Sequence, residues 1–161
     1  MYPKFFTIGV YGTTEDSFFK ALTDTGIDMF CDIRLRRGMR GKKYAYVNST
    51  YLQAKLEQLT IGYVHHKELA PSKAIREQQK EADKRDKIAK RDRQQLGDVF
   101  VQAYKKEILV DFEVEIFANS FVEFQKVVLF CVERDPSACH RSLLAKKLSR
   151  NLGITVEHII P

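Results

Sequence analysis

Five short apolar runs alternate along the chain with segments whose apolar residues recur at helical spacing. Lys4–Val10 (KFFTIGV), Asp28–Ile33 (DMFCDI), Gly62–His66 (GYVHH), Val127–Val132 (VVLFCV) and Gly153–Ile160 (GITVEHII) each predict a strand. They are short, rich in β-branched and aromatic residues, and bounded by polar turn formers. VVLFCV carries no alternation at all, as expected of a parallel strand buried on both faces. Between the runs, Thr13 or Thr14 caps a helix with Phe18, Phe19 and Leu22 on one side, ending at Gly26. Asn48 or Ser49 caps another, with Leu52, Leu56 and Leu59 in line. This alternation predicts a single-domain, three-layer α/β/α fold around a mostly parallel sheet of about five strands.

About sixty residues separate the third and fourth strands. Ser72 can cap a long charged helix running from Lys73 toward Gly97, with a second helix over Asp98–Ile108. Ile75, Ala82, Ala89 and Leu96 recur every seven residues, a thin stripe that predicts one narrow packed face and a solvated remainder. Such an insertion can cover the carboxyl edge of the sheet as a lid. No linker, repeat or low-complexity tract divides the 161 residues into more than one domain.

Composition narrows the class. With 44% hydrophobic and 30% charged residues, the chain is read as an ordinary globular protein with no membrane partner. The start, MYPKFFTIGV, leads straight into a strand without a signal-peptide pattern. Three cysteines, Cys31, Cys131 and Cys139, are an odd number in apolar or strand-end positions, which predicts a reducing, cytoplasmic setting. The net charge is +6, and Lys73–Arg93 alone holds nine Lys/Arg against five Asp/Glu. That segment reads as a solvated helix face or as an arm toward nucleic acid.

Chemistry is expected where parallel strands end, because the loops that follow them converge at one edge. The fourth strand runs into Glu133-Arg-Asp-Pro-Ser-Ala-Cys-His-Arg141. Asp135-Pro136 predicts a helix start, which places Cys139, His140 and Arg141 in its first two turns. A phosphatase-type cysteine loop is excluded, since position 145, six beyond Cys139, is Ala145, and position 137, six beyond Cys131, is Ser137. Strand one contributes Gly9, Tyr11 and Gly12, strand two Asp32 and Arg34, and strand three His65, His66 and Glu68. From these, His140 is the candidate general acid/base, with Asp32 or Glu133 orienting it or a divalent metal. Arg34 and Arg141 would clamp an anion, with Gly9, Tyr11, His65 and Cys139 lining the substrate site. Arg141 falls in line with Leu144, Ala145 and Leu148, which predicts burial beside an acid, with His140 more open to the cleft.

Arg36, Arg37, Arg40, Lys42 and Lys43 form a basic loop followed by Tyr44 and Tyr46. Such a loop binds phosphates and stacks bases, or simply stays in solvent. A zinc site from Cys131, Cys139, His140 and His65 or His66 is not expected, because eight residues separate the cysteines and there is no close ligand pair. A redox pair is disfavoured for want of a Cys-x-x-Cys.

Four pieces carry a family resemblance: TIG at Thr7–Gly9, CDIR at Cys31–Arg34, YVHHKELA at Tyr63–Ala70 and FCVERDPSACHRSLLA at Phe130–Ala145. The chain resembles the "domain of unknown function 488" (DUF488, YeaO-like) family of small bacterial and archaeal proteins, over nearly its whole length. Many relatives read TIGHS where this chain has Val10, and Leu-Gly-Gly where it has Leu69-Ala-Pro71. The resemblance implies the fold and the position of the site rather than a reaction. The residues gathered at the strand ends give the expectation of an enzyme acting on a phosphate-bearing substrate, a nucleotide or nucleic acid. Its alternatives are a non-catalytic nucleic-acid-binding module and a ligand-binding or regulatory domain without turnover. The sequence sets no oligomeric state.

Overall fold

All five strands run parallel, in the order β3-β2-β4-β1-β5, where β1 is Lys4–Ile8, β2 Met29–Asp32, β3 Gly62–His65, β4 Lys126–Phe130 and β5 Val156–Ile159. The computed structural model describes residues 1–89 and 94–161. β4 lies between β1 and β2, and Val127, Val128, Leu129 and Phe130 are wholly buried, which accounts for its unbroken apolar run. Register sorts the rings between the two faces. Phe5 and Val127 pair on one side, Phe30 and Val128 on the other.

Helices cover both faces. α1 (Glu15–Thr25) sets Phe18 edge-on to Phe30 and Phe130. On the opposite face α5 (Val114–Asn119) stacks Phe117 on Phe5, and α6 (His140–Leu152) packs on β1 and β5. Thr14 caps α1 through a reciprocal bond with Ser17, and Gly26 ends it at φ 77°, a conformation that favours glycine. α2 (Ser49–Gln58) follows Asn48, whose side chain accepts from the Met39 backbone N–H instead of capping the helix. The fifth strand starts later than its sequence suggests, since Gly153 serves as the left-handed cap of α6.

The insertion departs from the single long helix expected. α3 (Lys73–Arg85) begins at the Ser72 cap but ends at Arg85, and Lys87 turns left-handed at φ 57°. The expected continuation through residues 90–93 lies outside the described residues. The chain has folded back by Gly97, whose N–H donates to Gln79 Oε1 at 2.8 Å. A continuous helix would hold those residues about 27 Å apart. The buried stripe is Ile75, Gln79 and Asp83, at four-residue spacing, while Ala89 is exposed. α4 (Asp98–Tyr104) then continues through a π turn, Lys105–Leu109, over the second helix expected there. α5 had no clear signal in the sequence. Among the described residues, no helix is long and apolar enough to cross a membrane.

Candidate active site

The β4–α6 connection is built in two steps rather than one. Asp135 accepts from the Ser137 N–H and starts a 3-10 turn at Pro136–Ala138, and α6 begins only at His140. Cys139 is thus the extended residue before the helix (φ −134°, ψ 147°) instead of part of its first turn. This kink brings Cys139 back beside Cys131 at the end of β4.

Arg141 holds the connection from beneath and is fully buried. Its guanidinium donates to the Glu133 carbonyl, to the Arg134 carbonyl at 3.1 Å and to Thr7 Oγ1 at 3.3 Å. The acid partner expected from sequence is replaced by backbone carbonyls. The geometry depends on Gly9, where an added Cβ would stand 1.9 Å from the Glu133 carbonyl oxygen. Gly9 therefore permits a close approach of two strand-end loops, and both it and Arg141 support the site from behind.

Asp32 is also inaccessible. It receives Arg34 Nε at 2.9 Å and Nη2 at 2.8 Å, and Tyr63 donates its hydroxyl to Oδ2 at 2.8 Å. Burial, followed by the neighbouring carboxylate, pushes the Tyr63 phenol up to about 12 even though Arg37 opposes it. Arg34 Nη2 also reaches the Val47 carbonyl, and its Cζ lies 4.7 Å over the Phe130 ring. Its Nη1 is buried and has no hydrogen-bond partner among the described residues. His65 Nε2 donates to the Arg34 carbonyl at 2.6 Å, and His66 pairs with Glu68, so both histidines are taken up by the loops.

The strand-end loops and α3 enclose a cavity of about 560 Å³. Tyr11, Arg34, Glu133, Cys139 and His140 line it, whereas Gly9, Asp32, His65 and Arg141 do not. From the basic loop, Arg36 and Arg40 reach its wall. Arg37 instead donates to the Tyr63 hydroxyl at 3.5 Å, Lys43 lies over the Tyr44 ring, and Lys42 is exposed. Arg76, Lys80 and Asp83 of α3 complete the wall and were not singled out from sequence. Their spacing of four and three residues after a good cap is a legible signal that they share one helix face.

The floor gathers sulfur, imidazole and carboxylate. Cys131, Cys139 and His140 present ligand atoms all within 4.8 Å of one another. Cys139 Sγ is 3.7 Å from His140 Nδ1, and Cys131 Sγ is 3.8 Å from Glu133 Oε2. Sequence spacing argued against such a set, but the 3-10 turn closes the gap. His140 is only 5% exposed, less open than expected, and its Nε2 donates to the Ile33 carbonyl at 3.1 Å. Burial alone would lower its pKa, but the Cys139 thiol, the Glu133 charge and the Ile33 carbonyl outweigh it and raise it. Burial, then Cys131, pushes the Cys139 thiol up.

Comparison with known proteins agrees with the resemblance read from sequence. The model of a family described as "Domain of unknown function DUF488" matches residues 14–148. No curated protein and no solved structure matches the chain.

Proposed function

We propose, from the premise that the chain belongs to the DUF488 family, that it is an enzyme acting on a small phosphate-bearing substrate held in the cavity at the carboxyl edge of the sheet. The observation that carries this reading is Arg34. A buried guanidinium held as a rigid fork, with Nη1 unpaired among the described residues, is suited to an anionic oxygen. Around it Arg36, Arg40, Arg76 and Lys80 outnumber Asp83 and Glu133, so the field favours an anion. A volume of about 560 Å³ suits a nucleotide-sized molecule.

Asp32 is committed to Arg34 and Tyr63 and so positions the clamp. Both nitrogens of His140 are engaged, one by the Ile33 carbonyl and one by Cys139. We assign proton transfer at the substrate to Glu133 on the ground of its place, a carboxylate on the cavity wall beside Cys131.

Calorimetric titration with orthophosphate, pyrophosphate and nucleoside phosphates tests the reading. Arg76→Ala combined with Lys80→Ala is expected to weaken binding by about tenfold or more, roughly 1.4 kcal/mol, with the thermal midpoint little changed. Absence of binding at low salt would overturn it. Binding of long oligonucleotides alone, with a steep salt slope, would replace it by the nucleic-acid module.

A further inference from the structure

We infer that Cys131, Cys139 and His140 form a three-ligand site for a zinc-like divalent transition metal, whose remaining coordination position faces the cavity. The ligand atoms lie within 4.8 Å of one another, and all three side chains are buried. The Cys139 Sγ to His140 Nδ1 distance is 3.7 Å. Two ligands on a tetrahedral zinc, one sulfur and one imidazole nitrogen, stand about 3.6 Å apart, given the usual metal–ligand lengths. The pair is therefore already spaced for one shared ion.

The surroundings supply what such a site needs. A carbonyl can only accept, so His140 Nε2 carries a proton toward Ile33, and Nδ1, on the side of the Cys139 thiol, is the nitrogen left to offer a lone pair to an ion. An outer hydrogen bond of this kind fixes tautomer and ring orientation in histidine ligands. Tyr104 packs against the ring, with centroids 5.5 Å apart, and holds it in place. Two thiolates with one imidazole select zinc and its soft neighbours over magnesium or calcium. All three ligands border the cavity, and Glu133 stands beside Cys131. Three protein ligands and one open position are the pattern of a catalytic rather than a structural zinc. In that position the ion would polarise an oxygen of the substrate or bind a water, which rests on the cavity being the active site, while the metal binding itself does not.

The test uses the full chain, purified under reducing conditions and stripped of metal, then titrated with Co²⁺ and with Zn²⁺. One equivalent of Co²⁺ is expected to bind, with the near-ultraviolet thiolate-to-cobalt absorption of two sulfur ligands, and one equivalent of Zn²⁺ should bleach it. Cys131→Ser, Cys139→Ser and His140→Gln should each weaken binding at least a hundredfold, and Cys31→Ala should leave it unchanged. Absence of the absorption in the reduced wild-type chain would overturn the inference, whatever the variants do. So would equal binding by wild type and ligand variants, or a Cys131–Cys139 disulfide as the only change at these sulfurs. Pyrophosphate binding measured on the same stripped and loaded samples separates the two claims. Pyrophosphate bound without metal uptake leaves the substrate reading standing and removes the metal; metal bound without pyrophosphate does the reverse.

Discussion

Arg34 and Asp32 meet fork to fork at the end of β2, with Nε–Oδ1 at 2.9 Å and Nη2–Oδ2 at 2.8 Å and both side chains almost wholly buried. Two residues apart on an extended chain, they point the same way, so the pair is made locally and then sealed by Phe130, Tyr63 and Val47.

Breaking that pair from one side strands a charge. Asp32→Ala should lower stability by about 3–5 kcal/mol, the range for an uncompensated buried ion. The double variant Asp32→Ala/Arg34→Ala should lose less than the sum of the single losses. Urea unfolding of the three proteins checks this. Additive losses would mean the two side chains do not act as a pair.

Gly9→Ala places a methyl against the Glu133 carbonyl, where backbone rather than a flexible side chain must yield. The expected loss is about 3 kcal/mol or more, at or beyond the upper end of ordinary overpacking. Gly38→Ala, with nothing within 4 Å of the new Cβ, is the control and should be close to neutral. Thermal melts of the two variants decide it.

Arg141→Lys keeps the charge but cannot reach the Glu133 and Arg134 carbonyls and Thr7 together. A loss of roughly 3 kcal/mol is expected, since hydrogen bonds to charged groups contribute about 1.5–3 kcal/mol each. A lysine variant as stable as wild type in urea unfolding would show that one donor suffices there.

His158 offers a pH signature. Its Nδ1 meets the Thr7 hydroxyl at 2.6 Å, and that hydroxyl accepts from Arg141 Nε, so the threonine donates its proton to the imidazole. Burial, then Arg141 and Lys146, holds the His158 pKa below its ordinary 6.5. A depressed folded-state pKa means the unfolded chain takes up the proton first. The stabilisation is therefore full above pH 6.5 and declines as pH falls through the folded-state value. His158→Gln should flatten this decline in Tm between neutral and mildly acidic pH. An unchanged slope would assign the decline to other groups.

Legibility in the sequence followed how local the cause was. The strands at 4–8 and 29–32 lie within the runs that predict them, and the strand at 126–130 starts one residue before its run, because burial on both faces leaves a mostly apolar signal. The Thr14, Gly26 and Ser72 caps were readable for the same reason, since a cap bonds residues two to four apart. The long charged helix was misjudged. Its seven-residue stripe crosses a chain reversal, and Gly97 meets Gln79 across eighteen residues.

The sequence by itself determined a parallel α/β fold and led to Arg34, Glu133, Cys139 and His140 at one edge of it, because the shared polarity of parallel strands suffices to place the loops that follow them there. Only the tertiary structure decided which of the gathered groups face the cavity. Asp32, Gly9, His65 and Arg141 sit at that edge and are consumed in holding it together. Cys131 and Cys139, eight residues apart, come within reach of one ion because a 3-10 turn folds the chain back between them. A side chain's direction depends on which buried donor or acceptor it must satisfy, and such a partner can lie 134 residues away, as Thr7 does from Arg141.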